Sequence, residues 1–129
     1  MQPVIMVIDD DNTITELLAT VIEKYGFTPI TASNGRAALD ILDQIPPPVL
    51  IITDYSMPLL NGRELILALS LKPGYEQIPV VMITGSSAQD LQLPNTSNFE
   101  GVILKPFDLA TIAGIIMKYT GGDKSYHLA

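Results

Sequence analysis

Four short apolar runs, rich in β-branched residues, divide the chain, and none of them alternates with polar residues. Unbroken runs of this length are typical of strands that are covered on both faces of a parallel sheet. The runs are Val4 to Ile8, Val49 to Ile52, Val80 to Ile83 and Val102 to Leu104. A weaker strand is predicted over Thr28 to Ala32, and it belongs at a sheet edge because Pro29 cannot donate to a ladder.

Apolar residues at helical spacing follow the first strand. The helix that they predict has the clearest signal in the chain, because a capping box from Thr13 to Glu16 opens it and Gly26 closes it. An amphipathic helix of this kind packs its apolar stripe against the sheet. The stripe consists of Ile14, Leu17, Leu18, Val21 and Ile22.

Three further helices are predicted between and after the remaining strands. One runs from about Gly35 until Pro46 stops it, one lies near Arg63 to Ser70, and one runs from Asp108 to the glycine pair that begins at Gly121. The fourth crossover, Ser86 to Phe99, is polar and offers few large apolar residues. Its helix is therefore expected to be short or missing.

Strands that alternate with helices imply right-handed crossovers and a doubly wound sheet. The predicted fold class is α/β, a flavodoxin-like doubly wound five-stranded parallel sheet in the order 2-1-3-4-5, with an irregular fourth helix. This order places the proline-bearing second strand at an edge, as its sequence requires. The length of 129 residues fits one domain, which we expect over residues 1–120, followed by a flexible tail or linker stump over 121–129.

Charge and composition exclude several classes of function. Seven basic and fourteen acidic residues give a net charge of -7, which disfavours direct binding to nucleic acid or to an anionic membrane. The apolar runs are too short to span a bilayer, and no basic leader precedes the first strand. Cysteine is absent, which excludes disulfides and thiolate metal sites and agrees with a cytoplasmic protein.

Acidic side chains follow two strands that are far apart in sequence. The first strand ends in Asp9, Asp10 and Asp11, and the third ends in Asp54. In open α/β sheets ligands bind beyond the carboxyl ends of the strands, where the crossovers diverge, and here that point lies between strands one and three. Several carboxylates in one crevice require a counter-charge, and Mg²⁺ suits a site of oxygen ligands, water and a phosphate oxygen.

Two further polar groups are expected at the same edge of the sheet. Thr84 ends the fourth strand, and Lys105 follows the fifth. An ammonium and a hydroxyl suit a phosphoryl anion, so Asp54 is a candidate nucleophile that forms an aspartyl phosphate. Taken alone, Thr84 and the Lys105-Pro106 pair are more often structural, and it is the joint placement of the site residues that favours this chemistry.

The residues Asp9-Asp10, Asp54, Thr84 and Lys105-Pro106 together resemble the response-regulator receiver family of two-component phosphorelay signalling. The segment from Asp54 to Gly62 is similar to that family's D-x-x-M-P-x-x-x-G loop. The resemblance implies a phosphoprotein that is phosphorylated on Asp54 and that depends on magnesium.

The resemblance also implies a role for each site residue. Asp10, Asp54 and the Ser56 backbone carbonyl would bind Mg²⁺ directly, and Asp9 would act through water. Thr84 and Lys105 would contact the phosphoryl group. A cis peptide bond would precede Pro106, which proline makes accessible.

The resemblance implies partners as well: a histidine kinase or a phosphotransfer protein as donor, and an unknown output protein or domain. It implies a signalling module that is not a turnover enzyme, although it hydrolyses its own phosphate slowly. The chain departs from the family at Val102, where an aromatic residue is common. With the irregular fourth crossover, this departure predicts an altered output surface.

Three alternatives stay open at the level of sequence. A degenerate receiver would dock a partner without phosphorylation, although the acidic pocket is complete. A small phosphatase with an aspartate nucleophile would need a second aspartate at Ser56. Flavin binding would need a phosphate loop where this chain is acidic. The single histidine, His127, lies in the polar tail and is not expected to act as a ligand.

Overall fold

The computed structural model describes residues 2–85 and 91–121 of the chain. The strands β1 to β5 span Val4–Ile8, Thr28–Ala32, Leu50–Asp54, Val80–Thr84 and Phe99–Leu104. The helices of the described residues, α1 to α4, span Asn12–Lys24, Gly35–Leu42, Gly62–Ser70 and Leu109–Thr120. All strand pairs are parallel, in the order β2-β1-β3-β4-β5. The predicted doubly wound sheet is confirmed, with β2 and its Pro29 at an edge.

Two apolar cores lie on opposite faces of the sheet. Alternate residues of β1 explain both, since Ile5 and Val7 face α1 and α4, whereas Met6 and Ile8 face α2 and α3. A strand that is buried on both faces has no polar side to show, which is why its sequence does not alternate. The two layers hold the carboxyl ends of β1, β3 and β4 at one edge of the sheet.

The helix boundaries differ from prediction at two places. Helix α1 is capped by Asp11, whose side chain accepts a hydrogen bond from the Thr13 N–H at 2.9 Å. The predicted capping box at Thr13 is therefore wrong, because Thr13 already lies in the first turn. Helix α2 ends at Leu42, before the prolines, and the Tyr75 hydroxyl donates to the Leu42 carbonyl at 2.7 Å. That tertiary bond satisfies a terminal carbonyl that the next helical turn would otherwise use.

The crossover between β4 and β5 contains no helix over residues 91–98, as its polar sequence predicted, and residues 86–90 of the predicted segment lie outside the described part. Asn98 is buried here, and its side-chain amide donates to the Ile66 carbonyl of α3 at 3.1 Å. Strand β5 starts at Phe99, three residues earlier than predicted. The pairing of β5 with β4 shifts in register: Val80 of β4 pairs with Phe99, whereas Val81 pairs with Gly101. Gly101, next to this shift, has a φ of 157°.

Candidate functional site

Three carboxylates meet at the carboxyl edge of the sheet. Asp9 and Asp10 follow β1, Asp54 ends β3, and these two strands are hydrogen-bonded neighbours. Carboxylate oxygens of the three residues lie within 4.8 Å of one another. Asp9 and Asp54 are 2% and 7% exposed, whereas Asp10 is exposed to solvent. The structure thus brings together the acidic residues that the topology predicted.

Lys105 supplies the positive charge of this cluster. Its Nζ lies 3.2 Å from Asp9 Oδ2 and 3.5 Å from Asp54 Oδ1. The backbone N–H of Lys105 donates to the Thr84 carbonyl at 2.8 Å, which extends the β4–β5 pairing to the site. The Lys105–Pro106 peptide bond is cis, as the resemblance implied. Burial lowers the pKa of the Lys105 ammonium, but the charges of Asp54 and Asp9 outweigh burial and raise this pKa overall.

The Asp54 carboxyl has a strongly shifted pKa. The pKa of this carboxyl is raised from 3.8 to about 6, first by burial and then by the negative charge of Asp9. The Lys105 charge and a hydrogen bond from the Tyr55 N–H, at 2.9 Å to Asp54 Oδ1, act in the opposite direction. The site therefore disfavours the ionised form of this carboxyl, and a bound cation would favour it.

The other predicted residues lie at the same edge of the sheet. Thr84 ends β4 and is 1% exposed, and Ser56 is exposed two residues beyond the end of β3. Asp11 differs from its two neighbours, because its carboxylate caps α1. Its backbone N–H, however, donates to Asp9 Oδ1 at 2.9 Å and so helps to orient that carboxylate. Sequence spacing did not predict this supporting role.

Gly62 holds the loop after Asp54 in place. Its N–H donates to the Tyr55 carbonyl at 2.8 Å and closes the loop. A Cβ atom at this position would lie 2.6 Å from the Asp54 carbonyl oxygen and 3.1 Å from the Tyr55 Cα. Only glycine allows so close an approach of two backbone segments. The motif pointed to Gly62, and in the folded chain Gly62 packs against the backbone of Asp54.

The donor set fits a hard divalent cation. Three carboxylates and one ammonium carry a formal charge of -2 when all are ionised, and a dication neutralises that excess. Two oxygens that bind one Mg²⁺ at about 2.1 Å are at most about 4.2 Å apart, so the observed cluster needs only a small contraction. Zinc and copper favour nitrogen or sulfur ligands, and among residues 2–85 and 91–121 no histidine or cysteine joins this cluster.

We expect Mg²⁺ binding to weaken in acid. A proton and the metal compete for the Asp54 carboxylate, whose pKa is about 6 without metal. The dissociation constant should change little above about pH 7 and should rise roughly tenfold between about pH 7 and pH 5. Isothermal titration calorimetry with MgCl₂ at three pH values measures this change. A dissociation constant that stays the same over that range would contradict the assignment of Asp54 as a ligand.

The fold and the acidic edge define a doubly wound α/β domain with an acidic pocket at the switch point of its sheet. Residues 5–117 match the response regulator receiver domain family, and the chain belongs to that family. A chemotaxis protein CheY homolog from Campylobacter jejuni is 28% identical over 106 residues, which cover 80% of this chain and 81% of the relative.

Solved structures agree with this fold. The chemotaxis response regulator CheY4 of Vibrio cholerae superposes with a TM-score of 0.83 at 24% identity, covering 92% of this chain and 99% of its own. The receiver domain of a sensor histidine kinase from Pseudomonas aeruginosa, solved with a magnesium ion in its active-site cleft, has a TM-score of 0.81 at 15% identity. That match covers 94% of this chain and 99% of the other. Identities this low compare the fold alone.

Within residues 2–85 and 91–121, every helix is too short or too polar to cross a bilayer. The predicted tail residue His127 lies outside this described part.

Proposed function

We propose that this receiver domain accepts a phosphoryl group on Asp54 with the help of Mg²⁺ and thereby switches a surface that another protein binds. The observation that carries the proposal is the convergence of three carboxylates and one ammonium at a single edge of the sheet. An isolated carboxylate on the surface would lack the charges that an in-line phosphoryl transfer requires.

Each site residue has a distinct role in this proposal. Asp10, Asp54 and the Ser56 carbonyl would hold Mg²⁺, and Asp9 would act through a bound water. The metal, when bound, offsets the charge that gathers on the phosphoryl oxygens. Lys105 lies 3.5 Å from Asp54 and would pair with the phosphoryl group after transfer.

The proposed transfer forms one bond and breaks one. An Asp54 Oδ lone pair attacks phosphorus, the bond from phosphorus to the donor atom breaks, and the donor departs with that electron pair. Thr84, at the end of β4, would donate a hydrogen bond to a phosphoryl oxygen. Water later attacks the aspartyl phosphate and releases inorganic phosphate, so the domain returns to its starting state without turning over a free substrate.

The proposed donor is a histidine kinase or a phosphotransfer protein, and the proposed output is a separate protein or domain. The receiver unit would span residues 1–120, since β1 begins at Val4 and α4 ends at Thr120. The alternative of a docking module that never carries phosphate is not favoured, because such a module has no need to retain a buried carboxylate with a raised pKa at this edge.

Mass spectrometry of the intact protein tests the proposed phosphorylation. Incubation with Mg²⁺ and a small acyl-phosphate donor should add the mass of one phosphoryl group to the wild type. Asp54→Asn should gain none, and removal of the metal with a chelator should stop the reaction. Equal labelling of wild type and Asp54→Asn, or no labelling of either, would overturn the proposal.

A further inference from the structure

The loop between β3 and α3 carries Ser56 and contains an unusually tight turn. The Leu60 N–H donates to the Pro58 carbonyl at 2.8 Å. A hydrogen bond between residues two apart defines a γ-turn, and its central residue here, Leu59, has a φ of 73°. The turn therefore places a leucine in the left-handed region, which glycine adopts freely but residues with a side chain adopt only at a cost.

The Leu59 side chain does not offset this cost by burial. It is 80% exposed, so it gains little from packing in the folded chain. A strained backbone of this kind persists only when the surrounding structure holds it in place. The next residue, Leu60, anchors the turn, because its side chain packs against the core that α2 and α3 share.

Gly35, the first residue of α2, meets Leu60 at a distance that excludes any side chain. A Cβ atom on Gly35 would lie 2.7 Å from the Leu60 carbonyl oxygen and 2.9 Å from the Leu60 Cβ. Asn34 fixes this end of the helix, because its side chain accepts a hydrogen bond from the Ala37 N–H at 2.8 Å. The capped start of α2 thus packs directly against Leu60, the residue that follows Leu59 in the strained turn.

We propose that Gly35 is a positioning residue for the metal site, and this inference rests on the proposed function. By allowing α2 to support Leu60, it sets the position of the loop whose Ser56 carbonyl is the proposed Mg²⁺ ligand. A Cβ at Gly35 would move the Leu60 carbonyl by roughly half an ångström or more, to reach ordinary contact distance. Mg²⁺ demands near-ideal octahedral geometry, so any part of this shift that the loop passes on to the Ser56 carbonyl weakens its binding.

The test compares Gly35→Ala with wild type by calorimetric titration with MgCl₂ and by the rate of phosphorylation from a small acyl phosphate. The Mg²⁺ dissociation constant should rise roughly tenfold, the usual effect of losing a group that orients a metal ligand. The phosphorylation rate at saturating Mg²⁺ should stay within about twofold of wild type, because Asp54 and Lys105 are untouched. If Gly35 only stabilised the fold, Gly35→Ala would lower the free energy of unfolding and leave the Mg²⁺ dissociation constant of the folded protein unchanged.

Gly114→Ala is the matched control, because Gly114 is exposed on α4 and a Cβ there would meet nothing within 4 Å. This variant should bind Mg²⁺ as wild type does. Leu60→Ala keeps the carbonyl and Cβ that meet Gly35, but it removes the rest of the side chain, which packs against the core that α2 and α3 share. It loosens the loop without adding an atom, so it should also weaken Mg²⁺ binding. It decides the matter if Gly35→Ala does not fold.

The outcomes separate this inference from the proposed function. If wild type itself binds no Mg²⁺ and takes no phosphate, the proposed function fails. If wild type does both, and the folded variants at Gly35 and Leu60 bind Mg²⁺ equally well, the positioning role alone is overturned.

Discussion

Asp54→Asn is expected to raise the free energy of unfolding by about 2 to 3 kcal/mol at about pH 7.5 without added Mg²⁺. The folded protein holds the Asp54 carboxyl at a pKa of about 6, against 3.8 for a free side chain. Each unit of difference corresponds to about 1.4 kcal/mol, so the charged carboxylate is less stable in the fold than in the unfolded chain. Asparagine keeps a similar shape and carries no charge.

The same difference fixes the direction of the pH dependence. Because the folded pKa lies above the unfolded one, the folded state binds the proton more tightly, and wild type gains stability as the pH falls through about 6 toward 4. Asp54→Asn lacks this gain, so the advantage of the variant should shrink over that range. Above about pH 7 the advantage should be constant.

Urea unfolding of both proteins at about pH 7.5, 6 and 4.5 measures this effect. Asp40→Asn, which removes an exposed carboxylate of α2, serves as the control and should stay within about 0.5 kcal/mol of wild type. Added Mg²⁺ should stabilise wild type, by about 2.7 kcal/mol at a hundred times its dissociation constant, and should stabilise Asp54→Asn much less. Equal stabilities of wild type and Asp54→Asn at about pH 7.5 would contradict the placement of Asp54 in a charge-disfavouring pocket.

Gly62→Ala should destabilise the fold by about 3 kcal/mol. The new Cβ would lie 2.6 Å from the Asp54 carbonyl oxygen and 3.1 Å from the Tyr55 Cα, and both atoms belong to the backbone. A rotamer change cannot relieve contacts with backbone, so the strand end or the loop must move. That movement breaks the 2.8 Å hydrogen bond that closes the loop and displaces the main chain of Asp54.

Gly62→Ala therefore should lose phosphorylation together with stability. Chemical denaturation gives the first effect, and labelling by an acyl phosphate under folding conditions gives the second. Gly114→Ala again serves as the control, and it should gain up to about 1 kcal/mol because alanine favours a helix more than glycine does. A Gly62→Ala protein with the stability and labelling of wild type would show that the loop does not depend on this contact.

The strands and their order were predictable from the sequence for a physical reason. A strand buried on both faces must be apolar at every position, so β1 and β4 stand out as unbroken runs. The edge position of β2 followed from Pro29, which lacks an N–H for one of the two possible neighbours. Both signals, the unbroken apolar runs and the proline, lie within single segments of the sequence, so the sequence alone predicts these strands and the edge position of β2.

Two of the boundaries that were predicted wrongly lie beside contacts between distant segments. Helix α2 ends early where the Tyr75 hydroxyl, from beyond α3, reaches the Leu42 carbonyl. Strand β5 starts at Phe99, directly after the buried Asn98, whose side-chain amide donates to the Ile66 carbonyl of α3. Periodicity within one segment contains no information about either contact.

The candidate site divides in the same way. Parallel strands present their carboxyl ends at one edge, so the meeting of Asp9, Asp10, Asp54 and Lys105 followed from the topology. The contact between Gly35 and Leu60 did not, because nothing in either local sequence specifies how closely the two backbones approach. The chemistry could be read from residue types, whereas the distances that tune it required the folded chain.

A crystal structure of the full chain with Mg²⁺ and a fluoride mimic of the phosphoryl group tests the central claim most directly. Mg²⁺ is predicted about 2.1 Å from oxygens of Asp10 and Asp54 and from the Ser56 carbonyl. The mimic is predicted on the Asp54 carboxylate, with Lys105 and Thr84 in contact with its fluorine atoms. A mimic bound to another residue, or a metal that does not touch Asp54, would contradict phosphorylation at this site.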